Sequence, residues 1–276
     1  MLHILLSIIF LSYNVFGLNS KNFNQRIDQL LKQSWECYEQ GNYKCMIENS
    51  KETLKLSKKY NNEKGIAESY YYLGIAYFSI NDMNNALKYT RLAVEYAEKK
   101  KNYRWIVYSY TLLGEIFRNL GKSDYALKYF KKSLEFAKKN NNAKMIPIIL
   151  INIANIYFEN KNYKKALNTY QNALELAKKE KLRKSYQALI LFNIGLSYYK
   201  IGDFKKAIMH LKKSAYLFKE IGNMRNYLES VYFTAKSYLA LGNKDKAEII
   251  IKENLPLAKN HGLYLSFYKL LKTKEY

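Results

Sequence analysis

The sequence predicts an all-α fold of six helical hairpins in tandem, and three observations carry that prediction. Two prolines and eleven glycines in 276 residues leave few helix breakers, while 28 tyrosines and 13 phenylalanines supply bulk for helix-on-helix packing. One segment recurs, as NNALKYTRLAVEYAEKK, SDYALKYFKKSLEFAKK, YKKALNTYQNALELAKK and FKKAIMHLKKSAYLFKE, and a shorter motif such as YYYLGIAYFSIND or LFNIGLSYYKIGD precedes it. Aligned on the small residue of that shorter motif, Ser34, Gly74, Gly114, Ala154, Gly195 and Ala235 follow one another at 40 residues, with one step of 41.

Each hairpin has the same internal logic. Three residues after the small residue stand Cys37, Tyr77, Phe117, Tyr157, Tyr198 and Tyr238, and twelve after it Met46, Ala86, Ala126, Ala166, Ala207 and Ala247. Four further on come Ser50, Thr90, Phe130, Tyr170, Leu211 and Ile251. Small residues are needed where two helices approach closely, and a bulky neighbour fills the space beside them. Seven residues after the small residue, Gly41, Asn81, Gly121, Gly202 and Gly242 occupy the place where the first helix must end in a left-handed residue. Lys161 departs from this pattern, between flanking asparagines. The second helix then runs about four turns to an asparagine- or glycine-bearing loop. The resulting hairpins span 24–62, 63–102, 103–142, 143–183, 184–223 and 224–262, with a cap over 263–276. Pro256 is expected to break the hydrogen-bond ladder of the last hairpin's second helix.

The net charge of +23 comes from 46 basic and 23 acidic residues, and such an excess raises nucleic acid or an anionic surface as a partner. Forty of the basic residues are lysine and six arginine, whereas phosphate recognition favours the bidentate arginine fork. The doublets Lys58–Lys59, Lys138–Lys139 and Lys178–Lys179 fall at helix ends, where they oppose the negative pole of the helix dipole. Nucleic acid is therefore disfavoured, and basic attachment to anionic polymers is kept only as a lesser alternative.

Residues 1–17 read as a secretory signal, leaving 18–276 as the repeat array. Ile4 to Leu11 form the apolar stretch and Gly17 precedes a plausible cut. An uncleaved anchor is the rival, because the amino-terminal side carries little charge and Lys21, Arg26 and Lys32 follow. The stretch is shorter than the ~20 residues needed to span a bilayer. A periplasmic or secreted protein with no transmembrane segment after cleavage is expected. In an oxidising compartment Cys37 and Cys45 can bridge if their Cα atoms come within ~7 Å; otherwise they serve as small buried hydrophobes.

The order of small residue, aromatic, alanine and aromatic across a helix-turn-helix resembles the tetratricopeptide repeat, over residues ~23 to 260. The period exceeds the usual ~34, which makes this the longer form seen in bacterial sensors and cargo-binding light chains. The first repeat lacks both the aromatic and the alanine, as suits a cap. The resemblance implies a right-handed superhelix whose inner face is lined by the first helix of each pair. Residues three before, one after and four after the small residue then look inward. They include Trp35, Tyr38, Tyr71, Phe78, Glu115, Arg118, Asn155, Phe158, Tyr199, Tyr232 and Lys236, with Asn152 and Asn193 close by. Aromatic side chains give large contact area at small entropic cost, and asparagine amides both donate and accept, which suits the main chain of an extended peptide. Packing between neighbouring first helices competes with that reading for each residue.

No catalytic, cofactor or metal site is expected. His210 and His261 have no partner at metal-ligand spacing, and no phosphate loop or nucleophile elbow occurs. The function expected is a non-enzymatic scaffold for a protein or peptide. The alternative is the sensory ectodomain of a regulator whose membrane span and output domain lie elsewhere.

Overall fold

The computed structural model describes residues 22–272, all of whose regular elements are helices. The signal read at 1–17 and the end of the cap lie outside the described residues. The first helices of the hairpins are α1 (22–39), α3 (Glu63–Ser79), α5 (Tyr103–Asn119), α7 (Met145–Glu159), α9 (Lys184–Ile201) and α11 (Met224–Ala240). The second helices are α2 (Tyr43–Lys59), α4 (Met83–Lys99), α6 (Ser123–Lys139), α8 (Tyr163–Lys179), α10 (Phe204–Glu220) and α12 (Lys244–Asn260), and α13 (Tyr264–Lys272) follows. They fall into two compact units, one reaching to Asn140 and the other beginning at Asn141. Within each unit, helices adjacent in sequence pack in pairs, and first helices also touch across hairpins, α3 on α5 and α9 on α11.

Local chemistry starts and stops these helices. Asn42, Asn62, Asp82, Asn102, Asn162, Asp203, Asn223 and Asn243 each accept a hydrogen bond from the backbone N–H three residues on. Such a cap contributes about 1 kcal/mol over alanine. At the hairpin turns the chain enters the left-handed region at Gly41, Asn81, Gly121, Gly202 and Gly242, and Lys161 does so too, at φ 61°. The lysine carries a Cβ that this region disfavours.

The small residues sit where first and second helices meet. A Cβ on Gly114 would lie 2.5 Å from Phe130, one on Gly195 2.6 Å from Leu211, and one on Gly74 2.4 Å from Thr90 Oγ1. In the first hairpin the corresponding contact is polar, with Ser50 Oγ donating to Ser34 Oγ. Beside it Cys37 and Cys45 are joined in a disulfide, their Cα atoms 5.9 Å apart. An eight-residue separation gives a loop-closure contribution of about 2.5 kcal/mol in the chain-entropy picture.

Pro256 does not break its helix: α12 runs through it to Asn260. The proline is exposed and costs the helix one N–H and a crowded preceding turn, while Ala247, Ile251 and Ala258 hold the buried side of the helix. Two residues earlier, Asn254 donates to the Ile250 carbonyl and accepts from Tyr227 Oη on α11, tying the helix to its neighbour.

Candidate functional site

The faces of the first helices are the candidate site, taken separately in each unit. In the unit ending at Asn140 the face is aromatic. Trp35, 40% exposed, lies 5.0 Å from Tyr38 and 6.0 Å from Tyr72 between ring centroids, and its Nε1 donates to Glu39. Tyr71 packs against Trp105 at 5.2 Å and Tyr108 at 5.8 Å, and the Arg104 guanidinium lies over both of those rings. Burial holds the Tyr71 hydroxyl well above its ordinary range, with the Glu115 carboxylate adding to the effect, and burial lifts Tyr72 to about 12. Glu68 is half-buried beside them, its carboxyl raised by burial and partly restored by Lys64 and Arg104.

In the unit beginning at Asn141 the face is more polar. Asn155 Oδ1 accepts from Tyr170 Oη at 2.5 Å and from Asn193 Nδ2 at 3.4 Å, which joins α7, α8 and α9 through one amide. With its oxygen engaged twice, the Asn155 amide is held in one orientation, and the residue remains partly exposed. Phe158 meets Tyr163 edge-on at 5.2 Å. On the neighbouring pair of helices, the Lys236 ammonium lies 5.7 Å from the Tyr199 ring, 5.6 Å from Tyr232 and 5.9 Å from Phe233. Three ring faces around one cation form a cation–π cluster.

The residues named from the sequence thus separate. Phe78, Glu115, Arg118, Phe158, Tyr199, Tyr232 and Lys236 are half-buried, Trp35 is exposed, and Asn152 is buried. Asn155 and Asn193 come together, as do Tyr199, Tyr232 and Lys236. Tyr72, Tyr108, Trp105 and Arg104 were not singled out. They stand two, six, nine and ten residues before Gly114 or its counterpart Gly74; Tyr72 follows Tyr71 on α3, and only the stacking of α3 on α5 brings Trp105 and Tyr108 against Tyr71, with Arg104 over both. Among the described residues no three His, Cys, Asp or Glu side chains group as metal ligands, and no helix is long and apolar enough to cross a membrane.

Two tetratricopeptide repeat models match the chain, one over residues 145–220 and the other over 67–100 and 107–140, together more than half of it. No curated protein sequence matches. Among solved structures, the fold resembles a signal transduction ATPase with a tetratricopeptide repeat sensor from Pyrococcus horikoshii, at 24% identity and a TM-score of 0.77. The match covers 88% of this chain and 37% of the ATPase, so the chain spans little more than a third of that protein. The apo quorum sensor NprR from B. thuringiensis is similar at 22% identity and TM-score 0.69, over 88% of this chain and 68% of NprR. NprR in complex with its cognate peptide NprX matches at TM-score 0.58 and 22% identity, over 87% and 69%. At these identities the likeness speaks for the fold. Together with six hairpins that repeat one pattern of small and bulky residues, the matching repeat models make this chain a member of the tetratricopeptide repeat family.

Proposed function

We propose that the chain is an exported, non-enzymatic scaffold that holds an extended peptide or protein segment on the first helices α7, α9 and α11. The observation that carries this reading is the amide fixed between Tyr170 and Asn193. Asn155 Oδ1 is occupied by two donors, so its Nδ2 hydrogens are the free end of a pre-oriented group on a partly exposed face. An amide held in this way pairs with a peptide carbonyl at little ordering cost. Lys236, seated among three rings, supplies a positive charge for a carboxylate of the same segment. The NprR complex offers an instance of a protein of this fold with a bound peptide. Export rests on the apolar stretch Ile4 to Leu11.

The test is to select ligands from a displayed random-peptide library on the purified chain and to titrate the best one calorimetrically. Asn155→Ala and Lys236→Gln should each weaken binding roughly tenfold, the worth of about one net polar contact, with helicity unchanged. If selected peptides bind both variants as tightly as the parent, the groove reading fails.

A further inference from the structure

The positive charge is not shared equally between the two sets of helices. In the unit beginning at Asn141, α8 carries four lysines against Glu175, and α10 carries five against Glu220. The first helix α7 has no basic residue, and α11 has Arg225 and Lys236 against Glu229. The second helices therefore hold most of the surplus, away from the face assigned to the peptide.

The outermost stripe of each second helix begins ten residues after the small residue and follows the 4-3-4-3 spacing of one helix face. On α2 it reads Lys44, Glu48, Lys51, Lys55, Lys58, on α4 Asn84, Lys88, Arg91, Glu95, Glu98, and on α6 Asp124, Lys128, Lys131, Glu135, Lys138. All are polar and exposed, as a solvated face requires. On α10 the same stripe reads Lys205, Met209, Lys212, Tyr216, Lys219, and on α12 it reads Asp245, Ile249, Lys252, Pro256, Lys259, with Lys252 paired to Glu248. Tyr216 is 70% exposed, Ile249 55% and Met209 45%. Apolar side chains this exposed leave much of their surface to water.

We propose that the α10–α12 face of this chain docks on an anionic phospholipid bilayer surface. Lysines at the ends and middle of a stripe, with an aromatic and a thioether between them, match the headgroup layer: the ammonium groups meet lipid phosphate while Met209, Tyr216 and Ile249 enter the acyl boundary. The cations of the stripe are all lysine, and α8, α10 and α12 contain no arginine, which favours this diffuse negative surface over a nucleic acid read by bidentate forks. Lys212 and Lys246 both lie over the Tyr238 ring of α11, at 5.4 and 5.9 Å, so a lysine of α10 and one of α12 meet at one ring, while the surplus charge lies on α10 because α12 sets its lysines against Asp245, Glu248 and Glu253.

The experiment is co-sedimentation of the full chain with vesicles of phosphatidylcholine, and of phosphatidylcholine and phosphatidylglycerol at two to one. Binding should require the anionic lipid. Lys205→Gln/Lys212→Gln/Lys219→Gln should weaken it roughly 100-fold and Met209→Ser/Tyr216→Ser roughly tenfold, with far-UV circular dichroism unchanged and Asn155→Ala without effect. Equal retention on both vesicle types overturns the proposal. So does unchanged binding by either multiple variant, or binding to duplex DNA with no binding to vesicles.

Discussion

Gly114 offers the sharpest test of the packing. An ideal Cβ there would stand 2.5, 2.6 and 2.8 Å from three ring carbons of Phe130, far inside ordinary contact. Phe130 is fully buried, so its ring has no solvent to swing into. Forcing one methyl group into such a site costs about 1–3 kcal/mol, while alanine regains about 1 kcal/mol over glycine in helix propensity. Gly114→Ala should therefore destabilise the α5–α6 hairpin by about 1–2 kcal/mol, because the clash sits at the severe end of that range. Repeat arrays open locally, so the assay is hydrogen exchange of the α5 and α6 amides read by mass spectrometry. A loss of about 1.4 kcal/mol appears as tenfold faster exchange. In a Phe130→Val background, which lacks the ring atoms at issue, the same substitution should cost nothing further. Exchange that is unchanged or slower in the single variant would refute the close-approach account of the small-residue position.

Two further outcomes follow from the turns and from the unit ending at Asn140. Lys161 holds a left-handed φ of 61°, which costs an L-residue with a Cβ ~1–2 kcal/mol; Lys161→Gly should slow exchange in α7 and α8 by roughly tenfold, and faster exchange would contradict the reading. Burial raises the Glu68 carboxyl above its ordinary 4.5, against the opposing Lys64 and Arg104. As pH climbs, the unfolded chain loses this proton first, so the residue's contribution to stability falls between the unfolded and the folded pKa and stays low above it. Glu68→Gln should accordingly raise the urea midpoint relative to the parent near pH 7 and leave it level near pH ~4; a gain equal at both would show that charge is not the cause.

Much of this molecule is written locally. The small residue, the aromatic and the alanine specify contacts inside one hairpin, which is why a 40-residue alignment finds them. The turns at Gly41 and Gly121 are legible because few residues other than glycine and asparagine enter the left-handed region freely. Lys161 shows the limit of that rule, since the packing of helices on either side imposes a conformation that the residue alone would avoid. Pro256 shows it again: the expected break assumed that the lost N–H decides, whereas three buried contacts and the Tyr227–Asn254 link hold α12 straight through.

The candidate site was less legible because it forms between repeats. Counting along one helix finds Tyr71, yet Trp105 and Arg104 join it only when α3 lies on α5. The pairing of Asn155 with Asn193 likewise spans 38 residues and depends on α7 and α9 lying side by side. Charge told a different story at each level. Lysine doublets at the ends of α2, α6 and α8 do sit in the last turn, but the exposed apolar residues among the lysines of α10 emerge only when the stripe is compared with its counterparts.

Hydroxyl-radical footprinting with a selected peptide bound tests the central claim directly, because the two faces carry different reactive side chains. The account predicts protection of Phe158, Tyr199 and Tyr232 on the first helices, with Met209 and Tyr216 on α10 oxidised as in the free chain. Protection of Met209 and Tyr216, with the first-helix rings still open to oxidation, would contradict it.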